Sequence, residues 1–332
     1  MLKKIYTFAY PSQIYGYKRF KFCFIQFLII YKMKNLIFYL TVVMITTVAF
    51  ETATCQTAPI HKQMTMTTAK SSDVKLNMQG SGTFTIDWGD GSRTETYTFQ
   101  GDQQNNYWDS YVHSYTRASP RTITIIGEDI THIDCSYNQL TSLDVSKNAA
   151  LTFLYCSVNE LTSLNVDKNI ALTVLDCSVN HFTSLDVSKN TALTELGCTN
   201  NSLSSLDVSK NTDLTKLWCS TNIITSLDLS NNTALTELWC FDNGLTVLDV
   251  SKNTALTLLW CFDNLLTDLD VSKNTSLIAL RCNNNQLTSL ALNTLFGTLP
   301  SNMLKKEIKI DGNPGTETCD PSIAEKKGWT FQ

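Results

Sequence analysis

Hydrophobic residues recur with a fixed period of 21 residues between positions 130 and 290 of the chain. The first complete period runs from Leu151 to Ala171, and later periods open at Leu172, Leu193, Leu214, Leu235, Leu256 and Leu277. In the same register one cysteine marks each of eight periods, at Cys135, Cys156, Cys177, Cys198, Cys219, Cys240, Cys261 and Cys282. A fixed period of this length indicates one small structural unit stacked repeatedly on itself.

The first half of each period alternates Leu-x-Cys, which predicts a short strand. Leu175 and Cys177 are therefore expected to face the core. Their neighbours Val174, Asp176 and Ser178 are expected to face outward. An asparagine follows each cysteine by three residues, at Asn138, Asn159, Asn180, Asn201, Asn222, Asn243, Asn264 and Asn285. Its amide can donate and accept hydrogen bonds with the turn backbone of its own and the neighbouring coil.

A second asparagine column follows Leu-x-Val in the other half of the period, at Asn148, Asn169, Asn190, Asn211, Asn232, Asn253 and Asn274. The same exchange of hydrogen bonds is expected there. Both long sides of the coil therefore read as extended rather than helical, which predicts a gently curved or nearly straight solenoid. At roughly 4.8 Å per stacked strand, eight coils span on the order of 40 Å.

Each period matches Leu-x-x-Leu-x-Cys-x-x-Asn-x-Leu-x-x-Leu and thereby resembles the leucine-rich repeat, with cysteine in one leucine position. The Leu-Thr-Ser-Leu-Asp-Val-Ser-Lys-Asn second half is similar to internalin-like repeats of secreted bacterial proteins, of a Bacteroidetes type. The resemblance implies a β-rich solenoid with a parallel sheet over residues 129–290, and the second asparagine column adds a mostly extended convex side. It also implies a role in binding another macromolecule, which is the usual role of such repeat proteins.

Strand-like alternation precedes the repeat, from Val74 to Ile125. A tight turn at Trp88-Gly89-Asp90-Gly91, then His113-Ser114-Tyr115 and a last strand at 122–126, resemble PKD-type immunoglobulin-like domains of bacterial surface proteins. We therefore expect a small all-β unit over residues 73–128. Because almost no linker separates it from the repeat, it is expected to cap the first coil.

The repeat fails after residue 290, and residues 291–332 are expected to form a C-terminal cap. Apolar residues from Ala291 to Leu299 have helical spacing, and Ile308 with Ile310 indicate a degenerate ninth strand. Asp320 as N-cap, Pro321 in the first turn and Gly328 at the end delimit a final short helix. Trp329 is expected to cover the last coil.

The N-terminal region has the features of export. Met33 opens a basic start, an apolar run from Leu36 to Phe50 and a small-residue stretch, which together predict a signal peptide over residues 33–55. Residues 1–32 are interpreted as an upstream mis-start, with an extended basic n-region as the alternative. Cys55 would be the site of a lipid anchor, although plain secretion is favoured. Residues 56–72 are polar and threonine-rich and are interpreted as a linker.

Composition and motifs exclude several functions. A formal charge of −4 spread along the chain implies no basic surface for nucleic acid. The four histidines are scattered, no glycine-rich phosphate loop is present, and no cofactor or metal is expected. Asp87, Asp90 and His113 are candidates for a metal or catalytic group, but a turn residue and a packed ring explain them better.

The cysteine column has three interpretations. As small hydrophobes the thiols would fill the core beside leucine. As a disulfide framework they would need suitable pairs, and as a metal site they would need to converge on one point. Parallel in-register strands give the side chains one orientation, so core packing is favoured, with a few adjacent oxidised pairs as the alternative.

The outward positions are informative because the repeat does not dictate them. The position before each cysteine runs Asp134, Tyr155, Asp176, Gly197, Trp218, Trp239, Trp260, Arg281, and then Lys309 in the ninth strand. The position after it runs Ser136, Ser157, Ser178, Thr199, Ser220, Phe241, Phe262 and Asn283. Three tryptophans and two phenylalanines, if half exposed, would form a patch of about 400–600 Å² with Leu258 alongside.

This patch is the candidate ligand site. It comprises Trp218, Trp239, Trp260, Phe241, Phe262, Leu258, Arg281 and Glu237. Acidic residues rim one side and Arg281 and Lys309 the other, as at many interfaces. The competing interpretation is an aromatic ladder that only stabilises neighbouring strands.

The sequence therefore predicts a non-enzymatic, monomeric, cell-surface or secreted protein that binds a protein or carbohydrate. The membrane is involved only through the signal peptide or an anchor at Cys55. A structural spacer at the cell surface is the first alternative. An enzyme whose catalytic part is the β unit is the second.

Overall fold

The computed structural model describes residues 62–99, 108–301 and 305–332. The predicted signal peptide at 33–55, the segment 1–32 and Cys55 lie outside these ranges. Within them the strands belong to one continuous sheet, which is antiparallel at its N-terminal end and parallel along the repeat.

Five strands form the N-terminal unit: β1 Gln63–Thr68, β2 Asp73–Asp87, β3 Glu95–Thr98, β4 Asp109–Ser114 and β5 Arg121–Asp134. The long strand β2 pairs antiparallel with β3, β4 and β5. Alternate residues along β2, including Val74, Leu76 and Ile86, are fully buried. The predicted period-2 alternation of this unit is therefore confirmed.

Strand β1 corrects the prediction of a linker over residues 56–72. Gln63–Thr68 pairs with β5 on one side and with β6, Leu140–Asp144, on the other. Met64 and Met66 are fully buried, so the alternation of methionine with threonine is a strand pattern with one face in the core. The threonine content made this segment look polar throughout.

The expected boundary between residues 128 and 129 falls inside a single strand. β5 pairs antiparallel with β2, and its last three residues pair parallel with the first repeat strand, β7. The β unit also satisfies polar groups of the first coil: the Asn138 amide donates to the Lys75 carbonyl at 2.7 Å, and Thr68 Oγ1 donates to the Asn138 carbonyl at 2.8 Å. The first coil is thus covered by the β unit, within a shared core.

Seven three-residue strands continue the sheet: β7 Phe153–Tyr155, β8 Val174–Asp176, β9 Glu195–Gly197, β10 Lys216–Trp218, β11 Glu237–Trp239, β12 Leu258–Trp260 and β13 Ala279–Arg281. They pair parallel and in register. Leu175 and Cys177 are fully buried, as predicted. Val174 is 6% exposed despite its outward position, because Phe153 and Glu195 flank it in register.

The first asparagine column makes the predicted exchange of hydrogen bonds. In the coil of β8, the Asn180 amide donates to the carbonyls of Cys177 at 3.1 Å and Cys156 at 3.0 Å. Its Oδ1 accepts from the backbone N–H of Leu161 at 3.0 Å. One buried side chain therefore links two successive coils through both ends of its amide.

The second column donates but does not accept. The Asn190 amide donates to the carbonyls of Val166 at 3.0 Å and Asn169 at 2.9 Å. Its Oδ1 is buried without a partner among the described residues, as are those of the equivalent asparagines. The prediction of acceptance was wrong, because nearby N–H groups are used within the turn: those of Asn190 and Leu193 donate to the carbonyls of Val187 and Asn190.

The rest of the coil is extended. Residues 145–288 contain strands, turns and bends and no helix, which confirms the predicted convex side. After each cysteine the chain leaves the strand through a residue in the left-handed region, with φ between 51° and 62°. These residues are Tyr137, Val158, Val179, Asn200, Thr221, Asp242, Asp263 and Asn284. Valine and threonine are strained there because their branched Cβ crowds the backbone.

The C-terminal cap begins with helix α1, Ser289–Thr298, whose first turn is capped by Thr288 Oγ1 accepting from the Ala291 N–H. The ninth strand is confirmed as β14, Lys306–Lys309. Helix α2, Ser322–Glu325, is a single turn that follows Pro321, while Asp320 Oδ1 accepts from the Ser322 N–H at 3.0 Å.

Trp329 is buried as expected, but it lies in an additional strand. β15, Trp329–Phe331, pairs parallel with β14 and adds a tenth rung to the repeat sheet. The Trp329 indole N–H donates to the Pro300 carbonyl at 2.9 Å, which ties this strand to the end of α1.

The left-handed column gives a matched test of backbone strain. Replacing Val179 by Asn should raise the free energy of unfolding by about 1 kcal/mol, because Asn tolerates a φ near 55°. The reverse change at the equivalent position, Asn200→Val, should lower it by a similar amount. Urea unfolding followed by circular dichroism measures both, and equal midpoints for the two variants and the wild type would contradict this account.

The two asparagine columns should differ in energetic weight. Asn180→Ala removes both donor and acceptor contacts and leaves the Leu161 N–H buried without a partner, so it should cost about 3 kcal/mol. Asn190→Ala removes two donated hydrogen bonds together with an Oδ1 that has no partner, so it should lower the free energy of unfolding by only about 1 kcal/mol. Thermal and urea unfolding compare the pair. A larger loss for Asn190→Ala would show that the acceptor contact is not what distinguishes them.

Candidate functional site

The strand register brings the predicted aromatic residues together. Trp218 pairs with Trp239, Trp239 with Trp260, and Trp260 with Arg281, which pairs in turn with Lys309. We call Trp218, Trp239, Trp260, Phe241 and Phe262 the aromatic ladder. Its residues are neighbours because parallel in-register strands place residues 21 positions apart side by side.

The rings of the aromatic ladder stack along the direction in which the coils stack. Trp239 and Trp260 have centroids 4.5 Å apart and an interplanar angle of 10°, and Phe241 and Phe262 lie 4.3 Å apart at 8°. Trp218 is tilted by 47° from Trp239 at 5.7 Å. These separations are close to the spacing of neighbouring strands, so the sheet sets the stack.

Ring stacking also limits exposure. Every ring of the aromatic ladder is partly buried, whereas the Ile223 and Val247 side chains of the same coils are 60% and 72% exposed. The expected patch area assumed rings that were half exposed. The exposed area is smaller than that, since each ring covers the face of its neighbour.

Charged groups surround the ladder. The Trp218 indole N–H donates to Glu237 at 3.0 Å, and the Arg281 guanidinium lies 4.5 Å from the centre of the Trp260 ring. Lys216 donates to Glu195 at 2.7 Å, and this hydrogen bond raises the pKa of Lys216 above its ordinary value. Cation–π contact of the Arg281 kind stabilises both partners.

Two indole groups are not satisfied. The Nε1 atoms of Trp239 and Trp260 are buried and have no hydrogen-bond partner within the part of the chain that is described. A buried donor without an acceptor costs about 1–3 kcal/mol. Tryptophan at these two positions therefore carries a penalty that phenylalanine would avoid.

The remaining site residues extend the surface. Leu258 is partly buried and pairs in register with Glu237. Asp242 and Asp263 are exposed at the left-handed bend that directly follows Phe241 and Phe262. The residues predicted for the site thus lie together on one sheet face over β10 to β13 and the bends after them.

A second aromatic cluster lies on the same face near β5 and β7, and the sequence reasoning missed it. His132 stacks on Phe153 with centroids 4.4 Å apart, and Trp108 lies 5.5 Å from Tyr155. Burial lowers the pKa of His132. His132 and Phe153 occupy equivalent strand positions, which the period could have revealed, whereas Trp108 precedes β4 and no periodicity signals its contact.

In the β unit, Asp90 and His113 are in contact and Asp87 is not part of the pair. His113 Nε2 lies 2.8 Å from Asp90 Oδ2, and its ring stacks on Trp88 at 4.9 Å. Hydrogen bonds, chiefly from Ser92, lower the pKa of Asp90. Asp87 accepts from the Gly89 N–H. In the described ranges, no group of three His, Cys, Asp or Glu side chains could hold a metal ion.

The cysteine column consists of eight free, fully buried thiols, consistent with core packing. Burial raises their pKa values, that of Cys219 to about 12. The Cys177 thiol donates to the Gly197 carbonyl at 3.4 Å.

Among the described residues, neither helix has the length and apolar character that spanning a membrane requires.

No protein-family model and no curated protein matches this chain. Among solved structures, a leucine-rich repeat protein of Leptospira interrogans has 19% identity and a TM-score of 0.52, over 62% of this chain and 61% of that one. The internalin InlF of Listeria monocytogenes has 22% identity and a TM-score of 0.50, over 56% and 55%. These likenesses show the fold, a leucine-rich repeat solenoid.

A functional domain of InlJ from Listeria monocytogenes, which includes a cysteine ladder, has 33% identity and a TM-score of 0.49, over 61% of this chain and 50% of that one. This chain thus spans between 50% and 61% of the length of the three structures. The PKD resemblance of residues 73–128 stays a prediction.

The buried thiols should resist alkylation in the folded protein. Complete burial keeps the reagent from these thiols and raises their pKa values, and the thiolate is the reactive form. Iodoacetamide labelling read by residue-resolved mass spectrometry should modify Cys319, which is partly exposed, and leave the column unmodified until denaturant is added. Rapid labelling of Cys219 in the native protein would contradict the described packing.

Proposed function

We propose that this chain is an exported, non-enzymatic leucine-rich repeat protein that binds a protein or glycan through the sheet face centred on Trp239. The observation that carries the proposal is the aromatic ladder. Its rings occupy outward positions that the repeat leaves free, in consecutive coils, and on the face where a solenoid presents side chains in ordered rows.

The scaffold does not require these aromatic residues. Strands β8 and β9 have the same length and register but carry Asp176 and Gly197 at the equivalent position. Trp239 and Trp260 also bury indole groups without acceptors. Residues that a fold does not need, and that cost it hydrogen bonds, are better explained by a ligand than by stability alone.

The shared fold supports the proposal at a coarser level. Leucine-rich repeat solenoids, including an internalin, have the same architecture. Repeat proteins of this kind commonly use the extended sheet face for binding other macromolecules. The spacer alternative draws support from the ring stacking, which stabilises neighbouring strands whether or not a ligand binds.

Export and surface location belong to the same proposal. Their support is the predicted signal peptide at residues 33–55, with Cys55 as the alternative site of a lipid anchor. For an enzymatic β unit, the Asp90–His113 contact is the observation in favour. Both groups are already engaged, Asp90 with Ser92 and His113 with Trp88, which favours a structural role.

Replacing Trp218, Trp239 and Trp260 together by serine should abolish ligand binding while the solenoid still folds. Loss of ring stacking should lower stability by about 1–3 kcal/mol in total. The measurement is a glycan array and a pull-down from cell-surface protein, wild type against the triple variant, at a temperature where circular dichroism shows both folded.

Two controls accompany this test. Leu290→Ser removes a side chain that is 78% exposed on α1 and should leave binding unchanged. Changing the three tryptophans to phenylalanine keeps stackable rings and separates stability from recognition. If the serine variant binds the same partners as the wild type and only melts earlier, the spacer alternative is correct.

A further inference from the structure

The stacking of the aromatic ladder leaves few ring faces open. Trp239 lies between Trp218 and Trp260, and the outer side of Trp260 is covered by the Arg281 guanidinium. Lys216 Nζ is 5.8 Å from the centre of the Trp218 ring. Because Trp239 with Trp260, and Phe241 with Phe262, stack nearly parallel along the sheet, these four rings present their edges at the sheet surface.

Ring edges and ring faces recognise different chemistry. A sugar ring packs its C–H groups on an open aromatic face, which the Trp239 and Trp260 rings, each covered on both sides, do not offer. The edge of an aromatic ring carries partial positive charge and packs against other aromatic rings in T-shaped contacts, and against aliphatic groups. Edge presentation therefore favours protein side chains over a saccharide.

The charge of the surface is equally specific. From β5 to β13, the outward strand positions and the following bends carry six carboxylates, which are Asp134, Asp176, Glu195, Glu237, Asp242 and Asp263. The cations in the same positions are Lys216 and Arg281, and Lys216 is already paired with Glu195. The surface is thus net acidic around an apolar centre, which is complementary to a cationic partner.

Exposed aliphatic residues follow the same bends in the chain. Ile223 and Leu265 come two residues after the left-handed residues Thr221 and Asp263 and are 60% and 48% exposed, and Val247 comes five residues after Asp242 and is 72% exposed. Exposed apolar side chains in coils that also carry exposed carboxylates can bury apolar residues of a partner while the carboxylates pair with its basic groups.

Resting on the function proposed above, we propose that the occupant of this face is a protein segment that combines apolar with Lys or Arg side chains. Its apolar residues pack on the ring edges of the aromatic ladder, and its basic residues pair with Asp176, Asp242 and Asp263. A second copy of this chain is disfavoured, because it would bring one acidic face against another.

A displayed random-peptide library, panned against the purified full chain and run in parallel with a glycan array, tests this assignment. The peptides retained should be enriched in Lys or Arg together with aromatic or aliphatic residues, and the array should show no binding that depends on Trp239. Binding of a selected peptide should weaken as salt rises from 0.1 M to 0.5 M, because salt screens surface charges.

Charge-neutral variants refine the test. Asp176→Asn, Asp242→Asn and Asp263→Asn together should weaken the selected peptide about tenfold. They should fold normally, because Asn200 and Asn284 already occupy the same left-handed column as Asp242 and Asp263, and an asparagine at position 176 keeps an Oδ1 that can accept from the Ser178 N–H. The matched control is the triple variant Asp186→Asn, Asp207→Asn and Asp228→Asn. It removes the same charge from exposed aspartates that begin the Asp-Val or Asp-Leu pairs in the second half of other coils. This control should change the affinity for the peptide less than twofold.

The outcomes separate the two proposals. Peptides whose binding depends on Trp239 but not on the three carboxylates would overturn the cationic partner and leave the binding face intact. Three further results would also overturn the cationic partner. The first is glycan binding that is lost in the tryptophan variant, and the second is a panning that yields no Trp239-dependent peptide. The third is the detection by light scattering of dimers that dissociate on Trp239→Ser. If the selected peptides bind the serine triple variant with the same affinity as the wild type, the proposed function itself is wrong.

Discussion

The buried asparagine amide that ends each strand is the interaction on which the solenoid depends. Asn180 bonds the carbonyls of two successive coils and the N–H of the earlier coil, and its equivalents repeat this pattern. Each coil must therefore leave its strand at the same point as its neighbour. This constraint holds the coils in register, so residues that are 21 positions apart in sequence become lateral neighbours on the sheet.

The same constraint imposes local costs that the stack as a whole offsets. Each turn after the cysteine forces a left-handed residue, including the branched Val158 and Val179. The second asparagine column buries its side-chain Oδ1 atoms without hydrogen-bond donors among the described residues, because the N–H groups of the nearby turn donate within that turn. Burial of leucine and cysteine in every coil outweighs these penalties, which repeat with the coil.

Sequence reasoning succeeded where structure follows the period and failed where contacts join unrelated segments. The inward Leu175 and Cys177, the coil-linking Asn180 and the row of Trp218, Trp239 and Trp260 follow from one repeat applied several times. The pairing of β1 with β5 and β6, the continuity of β5 across the expected boundary, and the approach of Trp108 involve segments outside the period. Their partners are set by tertiary packing, which a single sequence does not encode locally.

Stabilising strands and recognising a ligand are compatible roles for the aromatic ladder. Stacking consumes the ring faces of Trp239 and Trp260, and that loss decides which chemistry remains available at the surface. Ring edges bordered by Asp242 and Asp263 suit an apolar, basic polypeptide, whereas isolated rings in the same positions would suit a saccharide. The in-register sheet thus does more than hold the aromatic residues: by fixing their spacing near the stacking distance, it sets which ring surfaces are open to the proposed partner.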